Sequence, residues 1–531
     1  MAIILGIDAG GTYTDAVIID MDTQNILAKA KALTTHSQLE IGIANSIDAL
    51  GKNSTDKLSR VILSTTLATN AIVEKKGQSV GAILIGHDIQ ESLPCKKKGC
   101  IRGAIDYRGN VTEHINGTQL FQLAAEMAPF VDVFVISGVM SARNPQLEQG
   151  AKTILSSLAK PIYCAHEISS SLGYYQRTVT TILNAQVMDV MRRFIESVIA
   201  VLKARQINTP IYIVKSDGSL MLPECAVEKP IETMFSGPAA SIEGAIFLSG
   251  RDNCIVIDIG GTTSDIGFVR DKQVPFSEDG ARIASWHTHV KSLDLTTIGL
   301  GGDSKIEYRD GTISAGPERV LPSCRSNGPA NFTPTDILHC TGEYIQWNRR
   351  NSLLALTQKS KAANLPADVF LNRSENCVLQ KIKDEFPLLL ATPEMPVVAV
   401  GAPARTWLQK AAALYNFPLV IPDNFEVANA IGAAISSIHR TLEALIRFNT
   451  CACSYILYCP QEEPTYYASK DLALHAACKT LKRKAAEILK IQKISNSETS
   501  FTITDKEIPS CNSNQAIYIE TRIQLTITSQ P

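Results

Sequence analysis

The chain has 531 residues, 45% of them hydrophobic and 19% charged, which is enough for two or three domains with buried cores. A net charge of −1 argues against nucleic acid or a membrane surface as partner, since both need a basic face. No uninterrupted apolar run approaches the roughly 18 residues of a membrane span, and the N-terminal apolar stretch is too short for a signal peptide, so a cytoplasmic protein is expected.

From Ile3 the pattern reads strand, turn, strand, then a helix near Glu40 to Leu50, a strand at Val61 to Leu63, a helix at Leu67 to Lys75 and a strand at Val80 to Ile85. Such alternation predicts an α/β domain. Gly86 to Asn116 is polar and turn-rich, an expected lid-like insert, and its basic run Lys96 to Lys98 reads as a solvated loop. Alternation resumes through Gln119 to Met127 (helix), Val131 to Ser137 (strand), Leu147 to Leu158 (helix) and Ile162 to Ala165 (strand). A long helix follows from Ser171 to about Arg205, expected to be a wall or connector between lobes, and then a strand at Ile211 to Val214. A second lobe opens at Cys254 with the same strand-turn-strand start. It holds a strand at Val397 to Val400 and a small-residue helix with Ala428, Ala430, Gly432, Ala433 and Ala434, suited to close helix approach. Past residue 450, Cys451 to Tyr458, a helix from Leu472 to Ile488 and alternating Ile517 to Ile527 suggest a small α+β appendage. The expected units are 1–245, 250–445 and 450–531.

One phrase occurs twice: Asp8-Ala9-Gly10-Gly11-Thr12-Tyr13-Thr14-Asp15 and Asp258-Ile259-Gly260-Gly261-Thr262-Thr263-Ser264-Asp265, 258 − 8 = 250 residues apart, each between two apolar runs. Paired glycines let a tight turn aim successive N–H groups at phosphate oxygens, and Thr12 and Thr262 add hydroxyl donors. Asp8 and Asp258, at strand ends, are placed to hold a hydrated Mg²⁺, which prefers oxygen ligands. Two such loops can clamp one triphosphate. Asp15 and Asp265 read as turn braces. Gly299, Gly301, Gly302 and Asp303 form a further glycine-rich stretch: either it contacts nucleotide and presents Asp303 as a base or metal ligand, or it is a tight turn.

The twin turns, a Gly401-Ala402-Pro403-Ala404 turn after a late strand, and the small-residue helix after it resemble the actin, sugar-kinase and Hsp70 superfamily. Within it, the chain is similar to the hydantoinase/oxoprolinase family through most of residues 1–440. The phrases are Gly6 to Asp15, Ser64-Thr65-Thr66-Leu67-Ala68-Thr69-Asn70-Ala71, Arg143-Asn144-Pro145, His166-Glu167-Ile168-Ser169, Arg177 to Ala185, Ser236-Gly237-Pro238-Ala239-Ala240 and the Asp258 turn. The resemblance implies two duplicated actin-like (ribonuclease H-like) lobes around an ATP cleft. Gly10, Gly11, Thr12, Gly260, Gly261, Thr262, Gly301 and Gly302 would cradle phosphates, with Gly401 and Ala402 toward the adenosine and Asp8, Asp258 and Asp303 catalytic. It implies ATP-dependent opening of a cyclic amide such as a hydantoin or 5-oxoproline, with ATP and Mg²⁺, a possible second hydantoinase B-type subunit and a possible homo-oligomer. A subunit of an ATP-dependent ketone carboxylase and an ATP-driven protein activator are the competing readings.

Other candidates carry less. Arg143 and Arg177 can clamp a carboxylate or phosphate, or be buried arginines paired with an acid such as Glu167. His287 and His289, two apart on a strand, project to one face as metal ligands can, but such a lone pair is more often a surface or packing feature and is not assigned to a metal. Thirteen scattered cysteines read as reduced thiols. Neither Cys95-x4-Cys100 nor Cys451-Ala-Cys453 with Cys459 has the paired spacing of a structural zinc site.

Overall fold

A computed structural model describes residues 2–529 except 36–37, 52–56, 108, 387–394, 450–452, 460–461, 463, 492–497 and 510–515. The first apolar runs, Ile3–Ala9 and Tyr13–Asp20, pair antiparallel as a hairpin in which Asp8 faces Asp15. They sit within a six-stranded sheet, in the order Leu220–Met221, Ile211–Val214, Leu58–Thr65, Ile3–Ala9, Tyr13–Asp20, Asn25–Leu33. The second lobe repeats this plan in five strands: Leu295–Ile298, Ser264–Val269, Cys254–Ile259, Val397–Val400, Leu419–Val420. In both, the strand before the glycine turn pairs antiparallel with the strand after it and parallel with a later one. The fold is thus α/β, two duplicated actin-like lobes.

The period-2 alternation of a strand decides what each face meets. Ile3, Leu5, Ile7 and Ala9 enter one core with the helices Leu39–Ala49, Leu67–Val73 and Tyr174–Ala204, while Ile4 enters another with Ala430, Ile431, Ala433 and Ala434. The second lobe does likewise. Ile255, Ile257 and Ile259 face one core, and Cys254 and Val256 face Ala239, Ile242 and Ala428. Two helices that end equivalent halves, Ser236–Ser249 and Ala428–Ile435, therefore cross between the two sheets. The crossing is too close for side chains: a Cβ on Gly432 would fall on the carbonyl of Ala240, and one on Gly244 on that of Ala428.

The structure corrects several sequence expectations. The long helix, Tyr174–Ala204, does not separate the lobes. It lies inside the first, between the six-stranded sheet and a four-stranded parallel sheet ordered Ile162–Cys164, Val133–Gly138, Val80–Ile85, Lys97–Ile101. The expected insert 86–116 supplies the last of these strands plus a short hairpin, Ala104–Ile105 with Val111–Glu113. Two residues of the supposed basic loop, Lys97 and Lys98, are strand residues, and Lys98 pairs with Asp88 at 2.9 Å. From the second lobe, Ala281, Ile283 and Val290 pack into the first lobe's core. The appendage is a five-stranded antiparallel sheet that includes Ile438–Asn449 and Ala516–Ser529, covered by the helix Lys470–Ile491.

Candidate functional site

Because Asp8 shares the face of Ile4, and Asp258 that of Val256, both carboxylates point toward the helix crossing between the lobes. Both are buried. Ser64 Oγ donates to Asp8 Oδ1 at 2.7 Å, and Asn429 Nδ2, from the crossing helix, reaches Asp8 Oδ2 at 3.4 Å. Asn429 and Ser241 favour the charged form of Asp258. Burial nevertheless pushes the Asp8 carboxyl up to about 7, helped by Asp15 and Asp258, and burial also raises Asp258. Two hard, mutually repelling carboxylates, Asp8 held by neutral donors, fit a divalent cation with oxygen ligands.

The turns above these carboxylates close with the same backbone bond. Gly10 N–H donates to Tyr13 O at 3.0 Å and Gly260 N–H to Thr263 O at 2.9 Å. Their carbonyls are taken too: Thr34 Oγ1 donates to Gly10 O at 2.8 Å, while Gly302 and Asp303 N–H donate to Gly260 and Gly261 O at 3.0 and 2.6 Å. Among the described residues, the N–H groups of Gly11, Thr12, Gly261 and Thr262 have no protein acceptor. Four free donors on two facing turns make an anion cradle. The tips meet, since a Cβ on Gly261 would lie 2.5 Å from Thr12 Oγ1 and 3.2 Å from Asp303 Oδ2.

The other candidates fall into two groups. Gly301 and Gly302 are buried behind the second turn with their amides committed to Ser304 Oγ and Gly260 O, so they shape that turn from behind. Gly401, at φ +89°, packs against Asp258, where a Cβ would strike Oδ1, and Ala402 follows it. Asp303 is buried at the junction of the tips. It accepts from Thr12 Oγ1 at 3.4 Å and faces Arg325 at 3.3 Å and Arg319 at 3.6 Å. Burial raises its carboxyl and the two arginines oppose that rise. Asp15 and Asp265 brace their hairpins through Lys31 at 2.8 Å and Thr297 at 2.5 Å.

Several tempting groups lie elsewhere. Arg177 donates to the carbonyls of Gly138, Val139 and Ser171 rather than to Glu167, which pairs with Lys152. Arg143 points to Glu520 of the appendage at 3.9 Å. His287 is exposed, whereas His289 Nδ1 shares a 2.9 Å bond with Ser169 Oγ, so the two histidines do not share a ligand. Glu148, Cys164 and His166 cluster among the described residues, but Glu148 is already occupied by Gly138 N–H and by His166 N–H and Nδ1, a brace for the loop after the strand. Cys95, Cys100 and Cys459 are free thiols; Cys451 lies outside the described residues. Sequence reading gave no role to Asn429, Ser241, Arg319, Arg325 or Trp347. Only Asn429 carried a signal, as the one amide in a helix of small apolar residues.

Comparison with known proteins agrees with this architecture. Residues 4–159 match the hydantoinase/oxoprolinase N-terminal region and residues 177–347 the hydantoinase/oxoprolinase domain. The chain belongs to the hydantoinase/oxoprolinase family. It is 30% identical over 483 residues to caprolactamase subunit alpha of Pseudomonas jessenii, covering 83% of this chain and 67% of that one. It is 25% identical over 386 residues to the acetophenone carboxylase gamma subunit of Aromatoleum aromaticum, 62% of this chain but only 52% of that one. Among solved structures, nucleotide-free acetone carboxylase superposes with a TM-score of 0.83 at 17% identity, over 100% of this chain and 88% of that one. The ATP-dependent caprolactamase of P. jessenii gives 0.70 at 21% identity, over 99% and 87%. No helix of the described residues is long and apolar enough to cross a membrane.

Proposed function

We propose that this chain is an ATP-dependent hydrolase that opens a cyclic amide by phosphorylating its carbonyl oxygen, working with a second subunit of the hydantoinase B type. The observation that carries the reading is the pair of matched turns with four unclaimed N–H groups above two buried carboxylates. Identity to a caprolactamase subunit over 83% of the chain supports the substrate class.

A ring amide is a poor electrophile. ATP would supply a phosphoryl group to the carbonyl oxygen, making the ring carbon electrophilic enough for water to add and the C–N bond to break with the nitrogen leaving as the amine. A second water then releases the phosphoryl group, so lactam, ATP and two waters give amino acid, ADP and phosphate. The chain's own part is positioning and charge neutralisation. Gly11, Thr12, Gly261 and Thr262 N–H groups would hold phosphate oxygens. Asp8 and Asp258 would hold Mg²⁺, with Ser64 and Asn429 fixing the Asp8 oxygens. Gly401 and Ala402 would border the nucleotide beside Asp258.

The test is phosphate release from Mg-ATP, followed together with ring-opened product, in the presence of caprolactam, hydantoin, 5-oxoproline, or acetone plus bicarbonate. Stimulation by a ring amide is expected. Stimulation by the ketone mixture alone would replace this reading with a carboxylase subunit, and stimulation by another protein alone with an ATP-driven activator.

A further inference from the structure

The meeting point of the two turn tips carries more positive charge than its one carboxylate neutralises. Arg319 ends the strand Thr312–Arg319, and Arg325 follows in the next short turn, both from the second lobe. Arg319 Nη2 reaches into the first lobe, donating to Gly11 O at 3.2 Å and Thr12 Oγ1 at 3.1 Å, with Asp303 Oδ2 at 3.6 Å. Arg325 Nη1 lies 3.3 and 3.4 Å from the two Asp303 oxygens, and its guanidinium rests 5.5 Å from the ring of Trp347 and 6.0 Å from that of Tyr13. Asp303 is the one carboxylate within ion-pair distance of either guanidinium among the described residues. Two guanidiniums against one carboxylate leave a surplus of one positive charge, next to four free N–H donors.

The four unclaimed backbone groups at this point are all donors. The Arg319 bonds to Gly11 and Thr12 are single contacts to neutral acceptors, and its distance to Asp303 is long for an ion pair, so a phosphoryl oxygen would be a stronger partner. Arg325 is different, being clamped between a carboxylate and two ring faces, which fixes its plane.

We propose that Arg319 and Arg325 bind the terminal phosphoryl group of ATP, and that Asp303 serves as the counter-ion holding the arginine pair in place. The proposal rests on the ATP reading above and deepens it. It makes the chain distinguish triphosphate from diphosphate, because the arginines meet only the group that ADP lacks. Asp303 then has no proton to move and no metal to hold.

The experiment is calorimetric titration of the full chain with Mg²⁺ and either a non-hydrolysable triphosphate analogue or ADP, for the parent, Arg319→Ala, Arg319→Lys and Asp303→Asn. The parent should bind the analogue more tightly than ADP. Arg319→Ala should weaken the analogue about tenfold or more, the usual effect of losing a charge-assisted bond, with ADP affinity changed by less than about threefold. Arg319→Lys, which keeps charge but not the fork, should recover part of the loss. Asp303→Asn should retain analogue binding with a steeper salt dependence, as one more positive charge is exposed. An equal loss for analogue and ADP, or no loss for either, would overturn the arginine assignment while leaving ATP binding intact. Loss of Mg²⁺ dependence in Asp303→Asn would make Asp303 a metal ligand and overturn its counter-ion role. If the parent binds neither nucleotide, the ATP reading itself falls and takes this proposal with it. Circular dichroism spectra matching the parent confirm that each variant is folded.

Discussion

The buried carboxylate Asp8 should cost the protein stability when it is ionised and nothing is bound. Its carboxyl lies at about 7 in the fold against an ordinary value of 3.8, a displacement produced by burial and by repulsion from Asp15 and Asp258. At 1.36 kcal/mol per pK unit, the ionised form is disfavoured by about 4 kcal/mol at most. The sign follows from the raised value: the native state binds this proton more tightly than the unfolded chain. The stability it contributes is complete below 3.8 and is lost as the pH rises to about 7. Asp8→Asn keeps the shape and the Ser64 bond, and the amide of Asn429 can flip to accept from it. In metal-free denaturant titrations across this range, the variant should match the parent at the acid end and gain several kcal/mol over it above about pH 7. With Mg²⁺ and a triphosphate analogue the order should reverse, since the parent gains ligand stabilisation and the variant does not. A pH-independent difference between the two proteins would refute the burial argument. Undiminished Mg²⁺-dependent stabilisation of Asp8→Asn would refute the metal assignment.

Gly432→Ala should lower the denaturation midpoint, because its Cβ would overlap the Ala240 carbonyl; overpacking of this kind costs about 1–3 kcal/mol, and Gly244→Ala at the same crossing should not add independently. Gly261→Ala places a methyl 2.5 Å from Thr12 Oγ1, so it should spread the two tips and weaken Mg-nucleotide binding by about tenfold in calorimetry while leaving the denaturation midpoint nearly unchanged. Arg177→Ala removes the donors to three carbonyls and should destabilise the first lobe by on the order of 3 kcal/mol in denaturant titration, without changing the ratio of triphosphate to diphosphate affinity.

Local order is legible in the residues alone. Apolar periodicity placed the paired strands on either side of each glycine turn, and because a strand's side chains alternate, Asp8 and Asp258 were bound to share a face with Ile4 and Val256. The repeat of one phrase was enough to expect duplicated lobes. The strand Asn25–Leu33 carries a weak signal because its outer face holds Leu27, Lys29 and Lys31 and its inner face the small Ala28 and Ala30, too few large apolar residues to mark a strand. The long helix was recognised, but its neighbours were not, since periodicity reports that a helix is buried and is silent on what buries it. Docking of the lobes alone brought Arg319 onto a turn more than 300 residues earlier and set Asn429 between two carboxylates. Contacts of that kind depend on how two separately patterned lobes are docked, a rigid-body relation fixed by the glycine-lined helix crossing.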